Sequence, residues 1–266
     1  MAASERESER PIGVFDSGVG GLTVAAALMR RLPSESILYL GDTARLPYGT
    51  KSPATVRQYT RTNVRFLLDR GVKAVVVACN TASALALDGL EVPVPVWGVI
   101  EPGAASAAAA SRGRVGVIAT ESTVRSNAYA QALARLRPEL EVLSRACPLF
   151  VPLVEEGWGD DPIAEAIARR YLEPLLEAEV DTLVLGCTHY PMLRPVLGRV
   201  MEGVSLIDSA ESVAEVVARE LATAGLAASR EAPPSHHLCV TDDTERVERI
   251  AAEILHHPAS LEWVEV

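Results

Sequence analysis

Two short stretches place a cysteine and polar neighbours at the end of an apolar run. The first is Cys79-Asn80-Thr81, after Ala74–Ala78. The second is Cys187-Thr188-His189, after Thr182–Leu185 and Gly186. A thiol has a reference pKa of about 8.5, near enough to neutrality for one thiol to act as base and another as acid in a single site. A cysteine that opens a helix is expected to titrate lower still, because the amide dipoles favour the thiolate. That is the expectation for Cys79. Free N–H groups at such a turn suit a carboxylate, and Asn80, Thr81 and Thr188 add side-chain donors. His189 is placed to support a thiolate or to shuttle a proton. A lone cysteine of this kind is more often plain buried structure; the polar neighbours and the second copy favour chemistry.

Other residues fit the same purpose. Asp16-Ser17 opens a glycine-rich turn, Gly18-Val19-Gly20-Gly21. The turn lacks the G-K-[ST] ending of a phosphate loop, and Asp16 would repel phosphate. It reads as a close backbone approach to a small ligand, with Asp16 aimed at an ammonium group or a catalytic thiol. Pro47-Tyr48-Gly49 follows the second apolar run, where Tyr48 and the Gly49 amide could bind a carboxylate; a plain Pro/Gly surface loop is the equal alternative. Glu155 and Glu156 sit beside an apolar segment, and one of them could assist proton transfer. Cys147 and Cys239 have no polar retinue and read as structural. His236-His237 and His256-His257 read as surface features. No C-x-x-C pair occurs, so neither a disulfide framework nor a structural zinc site is expected.

These residues need elements to hold them. Apolar runs at Ile12–Phe15, Ile37–Leu40, Ala74–Ala78, Val94–Val99, Val115–Ile118, Leu140–Ser144 and Thr182–Leu185 read as strands buried on both faces. Between them lie helical patterns at Leu22–Arg31, Ser52–Arg70, Thr81–Leu90, Ala104–Ser111, Thr123–Arg137, Ile163–Glu177 and Ser212–Ala224. The alternation predicts an α/β fold with mainly parallel sheets. The order also repeats. IGVFDS and then VVVACNT in the first half are echoed by VGVIAT and then LVLGCTH in the second, with the cysteine 67 residues after Ile12 and 72 after Val115. Two similar lobes are therefore expected, each a mainly parallel sheet flanked by helices. Residues 1–100 and 208–266 form the first, with 1–10 as a disordered arm, and 101–207 form the second. Open α/β sheets bind ligands at strand C-terminal edges, so two facing lobes would put both cysteines on one cleft.

The bulk properties narrow the class. The chain has 266 residues, 48% hydrophobic and 23% charged, with a net charge of −10. That balance disfavours nucleic acid as a partner. The most apolar stretch, Ala74–Leu87, is too short and too polar for a membrane span. The N-terminus has no apolar signal core. A cytoplasmic protein with reduced thiols is expected.

Taken together, GVFDSGVGGLTV, YLGDTARLPYGTKS, VVVACNTASALAL, GVIEPG and LVLGCTHYPML resemble the glutamate racemase family, in that family's order and over about Ile12–Asp208. The resemblance implies two α/β lobes around one site, no metal or organic cofactor, a homodimer, and supply of D-glutamate for peptidoglycan. It implies that Cys79 and Cys187 are the acid–base pair, Cys79 being the base for D-glutamate and Cys187 for L-glutamate, assisted by Asp16, His189 and Glu155 or its neighbour Glu156. It further implies substrate contacts from Asp16, Ser17, Pro47, Tyr48, Gly49, Asn80, Thr81, Thr120, Thr123, Thr188 and His189. Two other readings stay open: a racemase or isomerase of the same superfamily acting on aspartate or a related compound, and a binding or regulatory protein that keeps the fold without turnover.

Overall fold

A computed structural model describes residues 7–229 and 233–266. The chain runs through β1 (Ile12–Asp16), α1 (Leu22–Arg31), β2 (Ile37–Gly41), α2 (Pro53–Asp69), β3 (Ala74–Val77), α3 (Asn80–Ala86) and β4 (Val96–Gly98). It continues with α4 (Ile100–Ala110), β5 (Arg114–Ala119), α5 (Glu121–Ser126), α6 (Ala128–Leu136), β6 (Glu141–Ala146), α7 (Phe150–Glu155), α8 (Pro162–Glu177), β7 (Thr182–Gly186), α9 (Arg194–Val200) and β8 (Ser205–Asp208). It ends with α10 (Ser209–Ala224), β9 (His237–Val240), α11 (Glu245–Leu255) and β10 (Leu261–Trp263).

The strands form two parallel sheets, ordered β10-β9-β2-β1-β3-β4 and β6-β5-β7-β8. The order β2-β1-β3-β4 of the first sheet is repeated by β6-β5-β7-β8 in the second. The sequence echo is thus a repeat of topology: β1 lies beside β3 with Ile12 opposite Ala74, and β5 lies beside β7 with Val115 opposite Thr182. In an open sheet of this order the crevice between the first and third strands is where connections leave in opposite directions, and ligands bind there. Each sheet brings one such crevice.

Period-two alternation divides the first sheet's side chains between two cores. Ile12, Val14, Ile37, Tyr39 and Val76 pack under α1, α10 and α11, whereas Phe15, Leu40, Val75 and Val77 pack under α2 and α3. The second sheet divides likewise, with Leu183 and Leu185 towards α7, α8 and α9, and Val115, Val117 and Val184 towards α4 and α6. Helix starts follow local chemistry. Ser52 accepts from Thr55 N with Pro53 next, and Asp161 accepts from Ile163 N with Pro162 next.

Several expectations shift. The single helix over Thr123–Arg137 is two, because Asn127 adopts a left-handed conformation at φ 59° that asparagine tolerates. Helix α4 starts at Ile100 rather than Ala104; Pro102 is accepted in its first turn, where an N–H has no helical acceptor. Strand β4 is only three residues long because Pro93 and Pro95 cannot donate to a ladder. Helices α7 and α9 and strand β10 were not expected. The disordered-arm reading fails from residue 7 on, and its first six residues lie outside the described ones. Ser8 is buried, and its carbonyl accepts from Lys73 Nζ. Lys73 also bonds Leu226 O and lies 2.6 Å from Glu35, both side chains being buried. Among the described residues no helix is long and apolar enough to cross a membrane.

Candidate active site

Four strand ends supply the chemistry. Ser17 follows β1, Cys79 follows β3, Thr120 follows β5 and Cys187 follows β7. All four line one cavity of about 40 Å³, together with Pro47, Tyr48, Gly49, Asn80, Thr81, Glu155, Thr188 and His189. The facing crevices of the two sheets thus meet in a single site. Gly18, Leu46 and Val151 also line it and were not expected. Two expected residues, Asp16 and Thr123, are buried behind the lining.

Asp16 is spent on its own loop. Its Oδ2 accepts from Gly18 N and Gly21 N, each at 3.0 Å, and Thr188 Oγ1 donates to Oδ1 at 3.4 Å. Burial raises its pKa, while the nearby His189 charge and these donors work the other way. The glycine-rich turn places Gly18 on the cavity and also approaches the opposite lobe closely: a Cβ on Gly20 would stand 2.5 Å from His189 Nδ1.

Cys79 is the N-cap of α3, with Sγ 3.5 Å from Ala82 N and 3.4 Å from Ser17 Oγ. The expected low pKa is overturned. Burial, and after it the Asp16 charge, push Cys79 up to about 12, and the Ser17 and Ala82 contacts offset only part of this. A helix of seven residues offers a weak dipole, and desolvation of a thiolate outweighs it.

On the other wall, burial by itself lowers the pKa of His189, but the neighbouring Cys187 and Glu155 outweigh it and raise it to about 10. His189 Nε2 lies 3.3 Å from Glu155 Oε1, so the ring sits between a carboxylate and the Cys187 sulfur, and charge on either favours its protonated form. Of the two acids, Glu155 lines the cavity beside His189, whereas Glu156 is exposed and pairs with Arg246 at 2.7 Å.

The Tyr48 hydroxyl does not face a ligand. It donates to Asp42 Oδ2, and Asn63 Nδ2 donates to both at 3.0 Å. Arg45 and Thr241 hold Asp42 Oδ1. What Tyr48-Gly49 offers the cavity is backbone. Asp42 follows the second strand, on the rim where the sequence places Gly41-Asp42-Thr43, whereas nothing in the sequence marks Asn63 within α2. Thr81, Thr120 and Thr123 form a closed triangle of hydroxyls at 2.9–3.1 Å, joining the two lobes at the cavity wall. Cys147 and Cys239 lie buried in the cores, as expected of structural residues.

Two thiols from different sheets on one cavity, polar donors around them and two parallel sheets of repeated topology are the layout of a racemase. The Asp/Glu/Hydantoin racemase family profile matches residues 22–217, and the chain belongs to that family. It is 56% identical to a glutamate racemase from Geobacter metallireducens over 88% of each chain. The fold superposes on glutamate racemase isoform RacE1 from Bacillus anthracis with a TM-score of 0.94 at 40% identity, covering 97% of this chain and 98% of that one. It superposes on the Francisella tularensis glutamate racemase in complex with D-glutamate with a TM-score of 0.92 at 38% identity, over the same shares.

Proposed function

We propose that the chain interconverts L- and D-glutamate by passing the Cα proton between Cys79 and Cys187. The observation that carries this is the presence of both thiols on one narrow cavity, at the ends of β3 and β7. One base cannot reach both faces of a fixed carbon. In one direction a thiolate takes the Cα proton while the opposite thiol delivers its own to the other face. The two sulfurs exchange protonation states, and the reverse reaction resets them. Cys187 is the base towards L-glutamate, with cationic His189 as counter-ion and Glu155 holding the ring. Cys79 is the base towards D-glutamate, close to Ser17 and Asp16. Asn80 holds the α-carboxylate throughout, and charge developing towards it meets Thr81, Thr188 and the backbone of Tyr48-Gly49. No further acid or base is needed.

The cavity has room for roughly three water molecules, less than a five-carbon dicarboxylate occupies. Substrate access therefore requires the rims to part, with residues 1–100 and 208–266 moving as one lobe and 101–207 as the other. The product supplies peptidoglycan synthesis in the cytoplasm, where thiols stay reduced, and the chain works as a homodimer, a point that light scattering checks.

Proton NMR in D₂O tests the reaction. Loss of the Cα–H signal from both glutamate enantiomers without added cofactor, with L-aspartate untouched, is the expected result. Exchange of aspartate instead keeps the two-thiol chemistry and overturns the substrate. No exchange from folded, reduced protein overturns turnover altogether.

A further inference from the structure

Asn80 carries an amide nitrogen without a partner. Its Nδ2 is buried and unbonded, while its Oδ1 accepts from the Tyr129 hydroxyl at 2.7 Å. Asn80 is 3% exposed and lines the cavity. A buried donor left without an acceptor is costly and rare in native proteins, and a ligand that supplies the acceptor accounts for it. The end of the amide that faces the cavity is decided by the hydrogen bond at its other end.

Tyr129 makes that decision from the other lobe. It stands on α6 against the second sheet, whereas Asn80 opens α3 on the first. Two glycines pass close beside its ring. A Cβ on Gly103 would stand 3.2 Å from the Tyr129 oxygen, and one on Gly186 would stand 3.2 Å from ring Cε2. Burial keeps the phenol protonated, and its single proton goes to Asn80 Oδ1.

We infer that Tyr129 is a positioning residue: it fixes the Asn80 amide so that Nδ2–H points into the cavity and binds a substrate carboxylate. Because the bond crosses between lobes, the donor is aimed only when the rims are together. The inference rests on the proposed racemisation.

Tyr129→Phe keeps the buried ring and deletes only the hydroxyl. With near-UV circular dichroism unchanged, KM for both enantiomers is expected to rise about tenfold, and kcat to change by less than about threefold, since the amide holds ground and transition states alike. In an Asn80→Ala background the same substitution changes KM by less than about twofold, because the group it orients is gone. Wild-type KM in Tyr129→Phe, or an equal rise in both backgrounds, overturns the inference. If Tyr129→Phe does not fold, Asn80→Asp decides. It keeps the acceptor for Tyr129 but turns a carboxylate oxygen to the cavity, so a KM rise above about a hundredfold is expected, and an unchanged KM overturns the inference. Wild-type protein that fails to racemise glutamate overturns the proposed function itself, and with it the carboxylate for which Asn80 is aimed.

Discussion

At the residue scale, the two cysteines share a motif but not an environment. Cys79 is a thiol at neutral pH, held up by burial and by Asp16. Alkylation at Cys79, followed by peptide mass spectrometry with iodoacetamide, should rise about tenfold per pH unit from pH 7 to 10, because only the thiolate reacts. A plateau below pH 8 would mean that the helix terminus governs after all. His189 gives a second prediction. Its folded pKa is raised to about 10 from 6.5. Its stabilising contribution is therefore fully present below pH 6.5 and is lost as pH rises through 10. Urea unfolding should show His189→Gln well below wild type at pH 6, with the gap closing by pH 10; a gap independent of pH would contradict the shifted proton.

At the scale of elements, the short turn Tyr48–Thr50 is clamped from behind by Asp42 and Asn63 and pressed against Thr120 in front. A Cβ on Gly49 would stand 2.7 Å from Thr120 Cβ, a contact that real side chains do not make. Gly49→Ala must push the turn away from α5 and widen the cavity. Misplacement of about 1 Å costs on the order of a hundredfold in rate, so kcat/KM should fall by at least about tenfold with little change in melting temperature. Unchanged kinetics would show slack that the packing does not reveal.

At the scale of the molecule, the proposed function has the lobes part to admit substrate, and the first lobe has to survive that motion. Amide exchange around 48–51 and 120–125 should slow when glutamate is bound, because ligand holds the rims together; identical exchange with and without substrate would refute the opening motion. The first lobe is tied by Lys73, which joins Glu35, Ser8 and Leu226 across distant parts of the chain. Lys73→Met leaves a buried carboxylate alone and should cost about 3–5 kcal/mol. Adding Glu35→Gln should recover a good part of that, as chemical denaturation would show.

By itself the sequence determined the parallel α/β architecture, the repeat and the paired cysteines, because each is local. Apolar runs of strand length, helical periods and a thiol beside polar residues are all legible within a dozen positions. It also gathered most of the cavity lining, since strand C-terminal ends are predictable places for chemistry. Only tertiary structure decided what depends on burial and on distant partners. It raised the Cys79 pKa where the helix start alone argued for lowering it. It withdrew Asp16 and Thr123 behind the lining, turned the Tyr48 hydroxyl towards Asp42, and put Glu155 rather than Glu156 on the cavity. It also set Tyr129, 49 residues along the chain from Asn80, at the far end of that amide. The physical reason is common to all of these. The proton affinity and direction of a polar group are set by the solvent it loses and the partners it gains, and both are defined only once distant parts of the chain have packed together.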